Sequence, residues 1–193
     1  MKQERNTFKA NGFGKIAPWV DLVNSEEWDG FGKLTDQLEN PRWLATFLKH
    51  WELYPFSEKN VPRSKLTQLR SVLRRVAEKA ATGGALSRAD LARLNRILNV
   101  PVWQRLVQHQ NGFRTETVPV RSDWEWVPAR IVASFGEMLA NRELDRIRVC
   151  ANTDCRWVFH DSTKARTKRW CNDRTCGNRA RVRRARELQK QKA

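Results

Sequence analysis

The sequence predicts a mainly α-helical chain carrying one β-hairpin (α+β), with a small cysteine-rich unit following it. Three observations lead there. Apolar residues recur at helical spacing through much of the first 145 residues. One Asn-Gly pair, Asn111-Gly112, has a strand-like segment on each side. All four cysteines, Cys150, Cys155, Cys171 and Cys176, lie in the last quarter of the chain. The expected division is a helical body over 1–145 and a small unit over 146–193.

The elements follow in order. "APWVDLVNSEEWDGFGKLTDQLE" mixes apolar residues with turn formers and acids, and reads as a short helix or extended piece before a glycine-containing loop. "NPRWLATFLKHWEL" is a helix: Asn40 caps it, Pro41 suits the first position, and Leu44, Phe47, Leu48 and Trp51 fall at i, i+3, i+4 and i+7. A second helix is predicted over about 62–81, where Leu66, Leu69, Val72, Leu73, Val76, Ala77 and Ala80 form one stripe and Gly83-Gly84 stops it. Ser87 with Asp90 three residues on is a variant capping box, opening a helix whose Leu91, Leu94 and Leu98 are expected to face inward until Pro101. The hairpin is placed at about 102–120. A last body helix runs from about Trp124 to Asn141, with Ile131, Val132, Phe135, Met138 and Leu139 on one face. Most of the nine tryptophans fit these stripes and are expected in the core.

Charge divides the chain. The formal net charge is +16, and residues 146–193 hold 15 Lys/Arg against 4 Asp/Glu. A basic excess so concentrated is the footprint of a polyanion-binding surface, nucleic acid first. No stretch has the length of a signal-peptide core or of a bilayer span. The expectation is a cytoplasmic protein without membrane contact, and in a reducing compartment clustered cysteines bind metal rather than form disulfides.

The cysteines are spaced C-x4-C, fifteen residues, C-x4-C. Two close pairs across a short insert suit one tetrahedral structural zinc ion. "RWVFH" alternates as a strand, "DSTKAR" is turn-rich, and "TKRWC" is expected to return as its partner strand. With Cys176 opening a helix, the whole forms a treble-clef-like zinc finger behind the helical N-terminal domain. Four protein ligands leave no open position for a reacting water. Asp154, His160 and Asp161 read as turn and surface residues rather than as a base. No nucleophile–base pair or phosphate-cradling glycine loop appears, so an enzyme is not expected.

"CGNR" at 176–179, the basic segment after it, "RIRVCANTDC" and "WVDLVNSEEWDGFGKLTDQLENPRWLATFL" together resemble the CGNR zinc-finger family, whose finger follows a helical domain called ABATE. That family is described as bacterial stress-induced transcription regulators. The resemblance implies one zinc, a bacterial cytoplasm and DNA binding.

Around the motif, Gly177 lets the backbone approach a sulfur, and Asn178 is placed to hydrogen-bond a turn or a thiolate. Arg179 has two readings, a brace within the finger or a phosphate contact. Val182, Ala185 and Leu188 are expected inward on the last helix, leaving Arg181, Arg183, Arg184 and Arg186 outward. Lys164, Arg166, Lys168 and Arg169 would extend the same surface. Arginine at this density suits bidentate phosphate contact and guanine readout. DNA is the first expected partner and RNA the second, with Trp157 or Trp170 placed to stack a base. A structural or protein-interaction module is the third reading. In the first, DNA-binding reading the N-terminal body senses an unidentified small-molecule effector or forms a homodimer.

Overall fold

The computed structural model describes residues 16–53, 61–109, 112–121, 123–141 and 143–191. The core is built around a helix of only seven residues. In α1 (Pro18–Asn24) every residue is buried, with Trp19, Leu22 and Val23 at 0% exposure. A helix this short cannot show a 3.6-residue stripe, which is why its sequence reads ambiguously. It sits between α3 (Arg63–Ala81) and α5 (Trp126–Ala140), and the Trp19 ring meets Phe135 edge to face at 5.1 Å.

After α1 the chain makes a small hairpin that the sequence did not announce: β1 (Glu26–Trp28) pairs antiparallel with β2 (Leu34–Asp36). Three-residue strands carrying Glu26, Glu27 and Asp36 show no apolar alternation. Buried charge holds them instead. Arg70 of α3 forks onto both Asp36 oxygens at 2.6 and 2.7 Å and also donates to the Ser25 hydroxyl. Bidentate charge-assisted bonds of this kind fix orientation as well as contributing energy.

α2 (Pro41–His50) follows its prediction closely. Asn40 accepts from the amides of Arg42 and Trp43, and Trp43, Leu44, Phe47 and Leu48 are buried. α3 buries the expected stripe except for Val72, which is only half-buried, and ends at Ala81, with Gly83 in the left-handed region at φ 79°. In α4 (Arg88–Leu98) the Ser87–Asp90 cap forms as read, but the inward face is narrower than expected. Leu94 is buried and Ile97 partly so, whereas Leu91 and Leu98 stay 42% and 37% exposed. The helix packs mainly against α5 and is tied to α3 by the Arg75–Asp90 ion pair at 2.9 Å.

The 102–120 hairpin is present as β3 (Val102–His109) and β4 (Gly112–Pro119), in register from Val102 opposite Pro119 to His109 opposite Gly112. Asn111 of the expected turn lies outside the described residues. This hairpin is largely solvated, and Trp103 departs from the core expectation at 63% exposure.

A second hairpin behaves oppositely. After a 3-10 turn at Leu144–Arg146, β5 (Ile147–Val149) pairs with β6 (Val158–His160). Ile147 and Val158 are fully buried in the same core as α1 and α3. The Asn24 side chain completes the join, donating to the Val158 carbonyl and accepting from its amide, both at 2.8 Å. The cysteine-rich unit therefore shares its foundation with the helical body. The chain closes with α6 (Asn178–Lys190), which has no buried residue.

Candidate metal centre and nucleic-acid interface

Local turns bring the four sulfurs together. Cys150 leaves β5 with its amide bonded to the Trp157 carbonyl, and the chain then turns so that the amides of Cys155 and Arg156 both reach the Asn152 carbonyl. Arg156 adopts φ 50°, a left-handed conformation that costs a non-glycine residue energy. Its carbonyl accepts from Arg74, a buried α3 guanidinium that also donates to the Val23 carbonyl at 2.8 Å and pairs with Glu26 at 3.3 Å. One buried cation thus ties the first cysteine turn to the end of α1. Burial pulls the Arg74 pKa below its ordinary value, with Glu26 and Glu78 opposing that shift.

The insert does not return as a strand. The partner of β6 is β5, and "TKRWC" runs as an irregular segment. Asp161 explains why. Fully buried, its carboxylate accepts from the Thr163 amide at 3.0 Å, the Thr163 hydroxyl at 2.6 Å and the Lys168 amide at 2.9 Å. Burial alone would raise its pKa, yet the bonds from Thr163 and Lys168 bring it down to about 2. Asp161 is a turn residue as read, though not a surface one. The Ala151 amide then reaches the Arg169 carbonyl at 2.8 Å and draws the second cysteine pair beside the first.

All four sulfurs lie within 4.8 Å of one another, with Cys155–Cys171 at 3.7 Å and Cys171–Cys176 at 3.8 Å. A tetrahedron with zinc–sulfur bonds of about 2.3 Å has an edge of about 3.8 Å, so the spacing fits that ion and is far too long for a disulfide. The thiols crowd one another strongly: hydrogen bonds from Cys155 and Cys171 drive Cys150 well below the ordinary thiol range, while Cys155 is pushed up. A divalent cation is what would let all four be thiolates together.

The residues expected to support the ligands sort differently from their reading. Asn178 is exposed at the start of α6, and the amide facing a sulfur is that of Asn152, 3.9 Å from Cys176 Sγ. A Cβ on Gly177 would stand 2.6 Å from Asp173 Oδ1 and 3.3 Å from the Trp170 ring, so that glycine makes room for these neighbours rather than for a sulfur.

The arginines divide into two groups. Arg179 crosses to the body, donating to the Asp29 carbonyl at 3.1 Å with its guanidinium 4.1 Å from the centre of the Phe31 ring. Gly30, at φ 82°, gives it passage, since a Cβ there would lie 1.9 Å from Nη1. Arg181 pairs with Asp173 at 3.2 Å. Arg183 bonds both the Asn152 side chain and Asp154, at 3.0 and 3.2 Å. In the insert, Arg166 pairs with Asp145, Lys168 lies over Phe159 and Arg169 over Trp170. By contrast Lys164, Arg184, Arg186 and Lys190 are exposed and have no acidic partner among the described residues. The expected inward stripe of α6 is absent: Val182 and Leu188 are 42% and 48% exposed, and Ala185 is exposed too. Beyond Arg183 every described residue of the helix is exposed.

Sequence reasoning missed Asn24, Arg74 and Asn152, each a polar group buried where two segments meet. Arg70 and Arg74 did leave a trace, as cations four apart on the apolar face of α3.

No curated protein matches the chain. Residues 146–189 match the CGNR zinc finger, and Cys150, Cys155, Cys171 and Cys176 are accordingly the ligands of one structural zinc ion. Residues 17–142 match ABATE, described as a "Putative stress-induced transcription regulator". With that match spanning more than half of its length, the chain belongs to the ABATE family and carries a CGNR zinc finger behind the ABATE region.

Proposed function

We propose that the protein regulates transcription by binding DNA, with α6 lying along the phosphate backbone and zinc fixing the angle at which it leaves the body. The observation that carries this reading is the unpartnered state of Arg184, Arg186 and Lys190 on a helix whose neighbouring arginines are all engaged. Spending carboxylates on one set and none on the other leaves positive charge concentrated where the helix stands free. Lys164 on the insert adds to that surface, and the zinc itself takes no part in chemistry. The cleft of about 730 Å³ between β4 and α5, lined by Trp51, Arg105, Arg114, Glu116, Trp126 and Arg130, is where we place an effector.

The test is a salt titration of duplex binding by fluorescence anisotropy. Contact with about four to six phosphates gives a log–log slope of roughly −4 to −5. A flat response defeats the proposal. RNA of matched length serves as competitor, and preferential displacement by it would transfer the reading to RNA.

A further inference from the structure

The engagement of Arg179 leaves a peculiar neighbour. Phe31 is 70% exposed even though a guanidinium already covers one side of its ring. Its opposite face is therefore open to solvent. The loop holding it is tightly built: Asp29 Oδ1 accepts from the Phe31 amide at 2.7 Å and from the Lys33 amide at 3.2 Å, and Gly30 and Gly32 take φ 82° and 92°. A ring displayed on so constrained a turn is presented rather than left over.

It faces α6. Between the loop and the helix lies a groove of about 480 Å³ whose lining includes Phe31, Arg179, Val182, Arg183, Arg186 and Lys190. Positions 179, 182, 183, 186, 187 and 190 recur at helical spacing, so one side of α6 forms the entire wall. The wall is apolar at Val182 and cationic at Arg186 and Lys190, neither of which has an acidic partner among the described residues. Glu187 is its one acid outside the Arg183–Asp154 pair. An occupant must combine a flat apolar face with negative charges further along α6, since Arg186 follows Arg179 by about 10 Å of helix rise. A short stretch of nucleic-acid strand does so.

We infer that Phe31 stacks an unstacked nucleobase while Arg186 and Lys190 hold the flanking phosphates. The inference rests on the nucleic-acid reading of α6 and deepens it: the N-terminal region supplies the aromatic half of the contact surface and the finger supplies the cationic half. An aromatic platform beside a cationic track is the usual means of gripping bases without hydrogen-bond readout. The base could come from a single strand or from a position extruded from a duplex.

The experiment compares wild-type protein with Phe31→Ala, Phe31→Trp and Arg184→Gln/Arg186→Gln on three probes: a 12-nucleotide single strand, the matched duplex, and that duplex with one bulged base. Phe31→Ala is expected to weaken binding to the single strand or the bulged duplex by about 5- to 100-fold, leaving the matched duplex and the salt slope unchanged. Phe31→Trp should restore the affinity. Loss confined to one of the two probes identifies the source of the base. Equal affinity of Phe31→Ala and wild type on all three, with the double arginine variant weakened, overturns this inference alone. No binding of the wild type to any probe overturns the nucleic-acid reading itself. A Leu/Glu-rich peptide that binds wild type but not Phe31→Ala, with oligonucleotide binding unaffected, assigns the groove to a protein partner and likewise overturns it. Zinc content, expected to be unchanged, certifies the variants, and the thermal midpoint of Phe31→Ala should fall only by what the lost contact with Arg179 contributes, which Phe31→Trp restores.

Discussion

Arg179, Arg181 and Arg183 differ from Arg184, Arg186 and Lys190 in circumstance far more than in chemistry. The first three lie within two turns of the metal and each has a carboxylate, a carbonyl or an aromatic ring to meet. The last three belong to an exposed stretch of helix and have no acidic partner among the described residues. One run of basic sequence therefore contains a braced set of cations and an unengaged set, and only packing tells them apart.

The strongest way to break that contrast is to remove the metal. Structural zinc contributes apparent free energies of about 10–16 kcal/mol in small fingers. Cys176→Ser, or chelation, is expected to abolish stoichiometric zinc and to free the braced arginines along with the finger. Because Ile147 and Val158 belong to the main core, the thermal transition of the whole chain should shift, as calorimetry would show.

Next in size is Arg74→Met. Leaving Glu26 and the Val23 and Arg156 carbonyls without their buried partner should cost about 3–5 kcal/mol, read from urea unfolding.

The contrast is sharpened by substituting one group at a time. Arg179→Gln loses a charge-assisted bond to a carbonyl and a ring contact, and should lower stability by about 2 kcal/mol without altering the salt slope. Arg184→Gln and Arg186→Gln should leave the urea midpoint where it is and each reduce the slope by about 0.9. If Arg179 changed the slope and Arg186 the stability, the assignment would be inverted.

The smallest effect serves as a control far from the zinc. Asp90 has its pKa lowered to about 2 by the Ser87 hydroxyl and by Arg75. A carboxylate depressed on folding contributes fully above its unfolded pKa, near 4, and that contribution disappears as pH falls towards 2. The wild-type urea midpoint should thus fall across that window more steeply than the Asp90→Asn midpoint.

Elements whose local chemistry agreed with their packing were legible beforehand. The Asn40 and Ser87 caps, the α3 stripe and the two C-x4-C pairs each follow a short-range spacing along the chain. What could not be read depends on distant partners. The β1–β2 hairpin is held by Arg70, the strand order of the finger is set by the Asp161 clamp, and Asn178 yields to Asn152 because the sulfur faces a loop rather than the helix. The α6 stripe of Val182, Ala185 and Leu188 had the right period for burial but no surface opposite it. Arg179 was evenly poised between two roles because Asp29 and Phe31, its partners, are 150 and 148 positions away.

The burial of β5 and β6 against α1 and α3 carries a practical consequence. A fragment cut at position 146 would expose Ile147 and Val158 as a raw apolar flank, and the remaining piece would keep an orphaned Asn24 amide. Neither half is suited to grafting onto a foreign scaffold, and inside a cell the lifetime of the entire polypeptide should rise and fall with the supply of metal.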